Sequence, residues 1–229
     1  MEGIFNQFSI NEINILIASI IADGEITKLC PGSRRKNNSY REHFGMEQKE
    51  YREWKESFFN GFLYIRPNSQ YLVSKSDPLF TKLYPYFYCE SGKKQIPKSL
   101  LSYCTHPLFL TVLYLDDGSL SITKRVNKKK RLIYLSPHIY LYLQNYPKNE
   151  LAILQNHICN NFGFKFVLTK RKDGFGYVMK LTKVNESIKF LNLISEAAKE
   201  CTGMEYKLDW EKRLLIETKK LNKISLGLR

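Results

Sequence analysis

Two nine-residue runs in this chain share one design. Leu16-Ile17-Ala18-Ser19-Ile20-Ile21-Ala22-Asp23-Gly24 and Leu110-Thr111-Val112-Leu113-Tyr114-Leu115-Asp116-Asp117-Gly118 are apolar helical stretches, each ending in an acid followed by glycine. They stand at domain spacing in a chain of 229 residues, so the chain reads as two copies of one unit. A carboxylate at the foot of an apolar helix is costly unless something pairs with it. Two such carboxylates, brought together by symmetry, are natural ligands of a hard cation.

The flanking patterns repeat in the same order. In the first half the periodicity predicts a helix over 11–22, closed by Gly24 as glycine commonly closes a helix. A strand over 25–30, a basic turn over 31–38 and a returning strand over 39–46 follow. Next come a helix over 48–60 with Tyr51, Trp54 and Phe58 at helical spacing, a hairpin over 62–66 and 71–76, and a helix over 78–87. The second half predicts a helix over 108–115 behind Pro107, a strand over 119–125, a basic turn over 127–130 and a strand over 132–136. A helix over 149–161, strands over 164–172 and 177–182, and a helix over 185–200 complete it. The expected class is α+β, a pseudo-twofold pair of αββαββα units. The halves are placed at 1–90 and 107–208, with a linker over 91–106 and a charged tail over 209–229 that suits a short helix.

Composition narrows the partner. The chain carries 36 Lys and Arg against 22 Asp and Glu, a net charge of +14. A charge of this size points to a polyanion, either nucleic acid or an anionic membrane. No apolar run reaches the roughly 18 residues that a membrane span needs. Met1 to Phe8 carries no basic stretch ahead of an apolar run, so no secretory leader is expected. Five scattered cysteines, with no C-x-x-C and no zinc-type Cys/His spacing, read as reduced thiols of an intracellular protein.

The strands alternate apolar and basic positions. Leu120 and Ile122 oppose Ser119, Ser121, Thr123 and Arg125; Phe164, Phe166 and Leu168 oppose Lys165, Thr169 and Arg171; Phe44 and Met46 oppose Arg41 and His43. Each sheet thus has an apolar face for its helices and a basic face suited to DNA, which a curved antiparallel sheet can enter by the major groove. The turns Arg34-Arg35-Lys36 and Lys128-Lys129-Lys130-Arg131 suit phosphate contacts, which position a protein without reading sequence. Lys28, Lys75 and Lys180 complete the candidate DNA-contacting set.

These features resemble the LAGLIDADG homing endonucleases in their single-chain, two-motif form. The first run matches that motif at Leu16, Ile20, Ala22, Asp23 and Gly24, and the second at Leu110, Asp117 and Gly118. Lys93-Lys94-Gln95-Ile96-Pro97 and Met204-Glu205-Tyr206-Lys207-Leu208 are similar to the segments that carry a catalytic lysine, and the element order matches over about residues 10–208. Ala18 and Val112 depart from the motif's glycine, and Ile21 from its earlier acid; none of these is a catalytic group. The resemblance implies two antiparallel sheets forming a DNA-binding saddle with helices packed behind. It implies Asp23 and Asp117 as catalytic acids sharing two or three Mg²⁺ ions, with Mn²⁺ as a substitute, and backbone carbonyls of Ala22 and Asp116 as further ligands. Lys94, with Lys93 as its competitor and the spacing favouring Lys94, and Lys207 are the implied catalytic lysines. The implied activity is a double-strand break across the minor groove of a long DNA site, made by a monomer. The implied setting is a free-standing, intron-encoded protein of an organelle, mitochondrion or chloroplast, or of the bacterial cytoplasm. An RNA-binding splicing maturase and a non-cleaving DNA-binding protein are the alternatives on the same fold.

Overall fold

A computed structural model describes residues 3–226 except 131, with side chains up to residue 221. Arg131 of the second basic turn and residues 227–229 of the tail lie outside the described residues. The elements run α1 (Ile10–Ile21), β1 (Glu25–Thr27), β2 (Ser39–His43), α2 (Lys49–Ser57), β3 (Leu63–Ile65), β4 (Tyr71–Ser74) and α3 (Pro78–Phe87). The order then repeats as α4 (Pro107–Asp117), β5 (Gly118–Asn127), β6 (Leu132–Leu141), α5 (Lys148–Phe162), β7 (Val167–Lys170), β8 (Tyr177–Leu181) and α6 (Val184–Ala197). A short α7 (Glu205–Leu208) and a longer α8 (Trp210–Leu226) follow, so the charged tail forms a longer helix than expected. The strands form two antiparallel sheets, β1-β2-β4-β3 and β5-β6-β8-β7, with the same order in each half. The fold is the expected α+β duplication.

α1 and α4 pack against each other at its centre. Ile13–Ile21 of α1 and Leu108–Leu115 of α4 are buried on all sides, which is why both runs are apolar around the whole helix rather than on one stripe. Ser9 and Glu12 start α1 with a reciprocal capping box, and Pro107 opens α4, where a missing N–H costs nothing. Asn14, buried in α1, donates to the carbonyl of Tyr103 at 3.0 Å and accepts from the amide of His106 at 3.1 Å, tying the first helix to the connection between halves. That connection is packed, not loose: Ile96, Leu100, Leu101 and Cys104 are buried in the core.

Several boundaries move. β1 ends at Thr27 and β2 at His43, and Met46 sits exposed in a single 3₁₀ turn, so it does not share Phe44's inward face. The second hairpin is longer than its alternation suggested, pairing Gly118 with Leu141 and continuing to Asn127 with Leu132. The two motif glycines do not serve as left-handed caps. Gly118 is extended (φ −92°, ψ 157°), and its role is absence of bulk: a Cβ there would clash with the Tyr114 backbone. At Gly24 a Cβ would run into the ring of Tyr40.

Candidate active site

α1 and α4 deliver their acids to the same place. Asp23 and Asp117 line one cavity of about 260 Å³ together with Lys94, Glu25 and Tyr146. Asp23 follows the end of α1 and its side chain is about one-third exposed, whereas Asp117 closes the last turn of α4. Burial, and then the nearby Asp23 and Asp116, push the Asp117 carboxyl up to about 7. Among the described residues its carboxylate oxygens have neither a hydrogen-bond donor nor an ion-pair partner. A buried acid with a like-charged neighbour and a free oxygen pair favours either a proton or a shared cation. The two carboxylates are hard oxygen donors, so the residues present fit a Mg²⁺ site.

Lys94 and Lys207 cap the two helices. The Lys94 ammonium donates to the carbonyls of Ile20 (2.8 Å), Ala22 (2.9 Å) and Gly24 (2.7 Å), which uses all three of its N–H groups. Lys207 donates to the carbonyls of Leu115 (2.6 Å), Asp116 (3.3 Å) and Tyr114 (3.5 Å). A cation at a helix C-terminus satisfies orphan carbonyls and complements the helix dipole. Burial draws both lysines below the ordinary lysine range, against the pull of Asp117 on Lys94 and of Asp116 on Lys207. The carbonyls of Ala22 and Asp116, expected as further metal ligands, are therefore each engaged by a lysine.

The Asp116 side chain points away from the cavity, into a charged cluster that the sequence reading did not anticipate. Its carboxylate accepts from Lys55 (2.9 and 3.0 Å) and from the Tyr51 hydroxyl (2.9 Å). Lys55 also donates to Glu42 at 2.8 Å, and Arg52 lies 2.8 Å from Glu42, 3.5 Å from Asp116 and 2.9 Å from Asp23. Glu42, Arg52, Lys55 and Asp116 have essentially no exposed side-chain surface. Burial alone would raise Glu42, but Lys55 and Arg52 outweigh it and hold its carboxyl below the ordinary range. Burial wins at Asp116, whose carboxyl rises to about 6 against the pull of Lys55. Oxygens of Asp23, Glu42 and Asp116 lie within 4.8 Å of one another, but the Lys55 and Arg52 cations already occupy that gap. A signal for this cluster was present in the strand alternation. Glu42 shares the inward phase of Tyr40 and Phe44, and Arg52 and Lys55 stand beside the buried Tyr51 and Trp54 on α2.

The sheet faces sort the candidate DNA contacts. In the second half Ser119, Ser121, Thr123 and Arg125 pair with Tyr140, His138, Ser136 and Tyr134, opposite in phase to the buried Leu120 and Ile139. Lys180 faces Tyr140 and Val167, and Thr169 is on the same face, so these positions form one outward surface. Lys128 and Lys130 are exposed at the hairpin tip. Two expected members sit elsewhere: Lys165 precedes β7, and Arg171 lies in the following turn, bound to Asp173 and donating to Gln144 at 2.9 Å. In the first half Arg41 and His43 share the outward face, but Arg41 is ion-paired with Glu25. Arg35 donates back to Ser39 at 3.0 Å, while Lys28, Arg34, Lys36 and Lys75 are exposed.

Comparison with known proteins adds an independent line. Residues 13–188 match the LAGLIDADG DNA endonuclease family. The RecA protein of Mycobacterium leprae (strain TN) is 26% identical over 211 residues, which is 89% of this chain and 28% of that protein. The RecA protein of Mycobacterium shimoidei is 24% identical over 202 residues, 86% of this chain and 46% of that protein. The chain thus spans less than half the length of these curated relatives. Among solved structures, the homing endonuclease I-WcaI bound to its DNA recognition sequence superposes with a TM-score of 0.64 at 21% identity, covering 88% of this chain and 87% of that one. I-SmaMI bound to uncleaved DNA target in the presence of calcium ions superposes with a TM-score of 0.56 at 13% identity, covering 93% and 96%. At these identities the likeness is one of fold. No helix among the described residues is long and apolar enough to cross a membrane.

Proposed function

The chain belongs to the LAGLIDADG DNA endonuclease family, and on that premise we propose that it is a site-specific, metal-dependent DNA endonuclease. One observation carries the reading: Asp23 and Asp117, one from each of two like-built halves, meet in a single cavity lined by both halves. The DNA complexes of I-WcaI and I-SmaMI support the use of the corresponding saddle for duplex DNA here.

Asp23 and Asp117 would hold Mg²⁺, or Mn²⁺ in its place, and the ion when bound supplies an activated water and charge for the leaving oxygen. Lys94 and Lys207 stand beside the two acids on rigid carbonyl anchors, placed to stabilise phosphate charge without reorganising. The outward strand residues Ser119, Ser121, Thr123, Arg125, Thr169, Lys180 and His43 face the bases, while the exposed turn residues Arg34, Lys36, Lys128 and Lys130 take phosphates. Both halves sit on one chain, so a monomer cuts both strands across the minor groove of an asymmetric site.

The test is incubation with a randomised duplex library and Mg²⁺, followed by sequencing of the cut ends. The expected result is one recurring site with paired cuts, lost in Asp23→Asn and Asp117→Asn while binding stays within about threefold. Binding without any cut by the unaltered chain, or undiminished cutting by either variant, refutes the reading.

A further inference from the structure

The two halves match in backbone but not around their acids. Glu25 pairs with Arg41 and its repeat partner Ser119 with Tyr140, so Glu42 corresponds to Leu141 and Tyr40 to Ile139. From these strands both halves run on without a gap to α2 and α5, which open at Lys49 and Lys148, so the buried Arg52 corresponds to the buried Leu151 and the buried Lys55 to the buried Leu154. In the motifs themselves Asp116 corresponds to Ala22. The charged cluster of the first half thus has an apolar counterpart in the second. Its consequence at the cavity is specific. Arg52, enclosed and braced on Glu42, reaches out to Asp23 at 2.9 Å, while Leu151 stands at the matching position of the half that carries Asp117. One acid is held; the other has no partner among the described residues.

Resting on the endonuclease reading above, we propose that Arg52 is a positioning residue that makes the two half-sites unequal, so that the two DNA strands are cut in sequence rather than together. Arg52 occupies one carboxylate oxygen of Asp23, and Asp23 still lines the cavity. That fixes the ligand before DNA arrives, and a pre-set ligand lowers the barrier of the step it serves. Asp117 must find its orientation only when the ion and the phosphate are in place. The half-site of Asp23 therefore acts first and a nicked duplex accumulates. The arginine need not touch the DNA or the reacting atoms for this to hold.

The experiment uses the full chain and the duplex recovered from the library, with each strand end-labelled in turn. Arg52→Gln removes the brace but leaves a charge unbalanced in the interior, so Arg52→Gln with Glu42→Gln is measured beside it. That pair takes out one cation and one anion and leaves Lys55 with Asp116. The unaltered protein is expected to cut one strand at least fivefold faster than the other. The paired variant is expected to slow the faster strand about tenfold or more and the slower strand less than twofold. Mn²⁺ titration followed by electron paramagnetic resonance, without DNA, is expected to give an affinity within about threefold of the unaltered protein. Equal strand rates in the unaltered chain overturn the proposal. So does a paired variant that slows both strands alike, or one in which such slowing comes with a tenfold loss of Mn²⁺ affinity, because the cluster then only supports the acid pair. A chain that cuts no duplex at all fails the endonuclease reading instead, so the two failures are distinct.

Discussion

Lys55→Met tests how the interior charges are balanced. Lys55 donates to Glu42 and to both oxygens of Asp116 with 1% of its side chain exposed. Within the enclosed part of the cluster two anions, Glu42 and Asp116, face two cations, Arg52 and Lys55. Methionine keeps most of the stem volume and removes the charge, leaving two buried carboxylates to one guanidinium. Breaking such a pair costs about 3–5 kcal/mol, since the surviving charge remains desolvated. At about 2–4 °C per kcal/mol for a chain of this size, the melting temperature should fall by roughly 6–20 °C. The loss should depend on pH in a defined direction. The folded Asp116 carboxyl lies at about 6, above the ordinary 3.8, because it is buried. Without Lys55 it moves higher still. Between about pH 4 and that raised value the folded state holds a proton that the unfolded chain lacks, so this group's contribution to stability declines as pH rises. The variant's deficit should therefore be small near pH 5.5 and reach its full size by pH 8. Adding Glu42→Leu, the residue type of the matching second-half position, removes one anion and should recover most of the loss. Urea denaturation at both pH values, with an unchanged dependence on denaturant, is the measurement. A deficit below about 1 kcal/mol at pH 8, or one that is equal at pH 5.5 and 8, refutes the reasoning.

Asp117, at about 7 in the metal-free protein, must lose a proton before it binds a cation. Mn²⁺ affinity should rise by about tenfold per pH unit up to about pH 7 and level off above it; a flat titration from pH 5.5 to 8 contradicts the assignment. Metal-free stability should fall over the same range, because the folded chain holds the extra proton below that value, and Mg²⁺ should offset the fall in thermal melts. DNA binding should weaken linearly in log Kd against log salt, with a slope near 0.9 for each phosphate neutralised; a flat response speaks against the saddle. Gly118→Ala should destabilise by about 1–3 kcal/mol because its methyl group would meet the Tyr114 carbonyl, while Gly92→Ala has open space and should lose less despite its φ of 77°. Urea midpoints decide between them.

Much of the fold was legible because the two apolar runs have to be buried on every side. A helix like Ile10–Ile21 finds such burial against a second of its kind, and Pro107–Asp117 is that second helix. The acids follow directly, since both runs end in Asp-Gly. The lysines were legible only by resemblance; that Lys94 and Lys207 would grasp the ends of those helices depends on chain paths that pattern does not encode. Strand limits failed where alternation and pairing part company. Met46 continues the apolar phase of β2 but has no partner strand there, so the ladder ends at His43 and Met46 turns out to solvent. Glu42, Arg52 and Lys55 were missed for a different reason. A charged residue in an inward phase looks like an error of register until its partner is known, and Asp116 arrives from the other half.

That arrival explains why the two motifs differ where they do. An acid at the place of Asp116 is tolerable only opposite Lys55 and Tyr51, and for Ala22 the matching positions on α5 are the apolar Leu151 and Leu154. Swapping the two residues would bury a carboxylate among apolar groups on one side and leave two enclosed cations sharing Glu42 on the other, each a cost of several kcal/mol. The halves are thus similar in backbone and not interchangeable at their contact. The same break in symmetry that distinguishes Ala22 from Asp116 places Arg52 at only one of the two acids. The apolar repeat builds a near-symmetric frame, and a few interior charges decide which side of that frame is which.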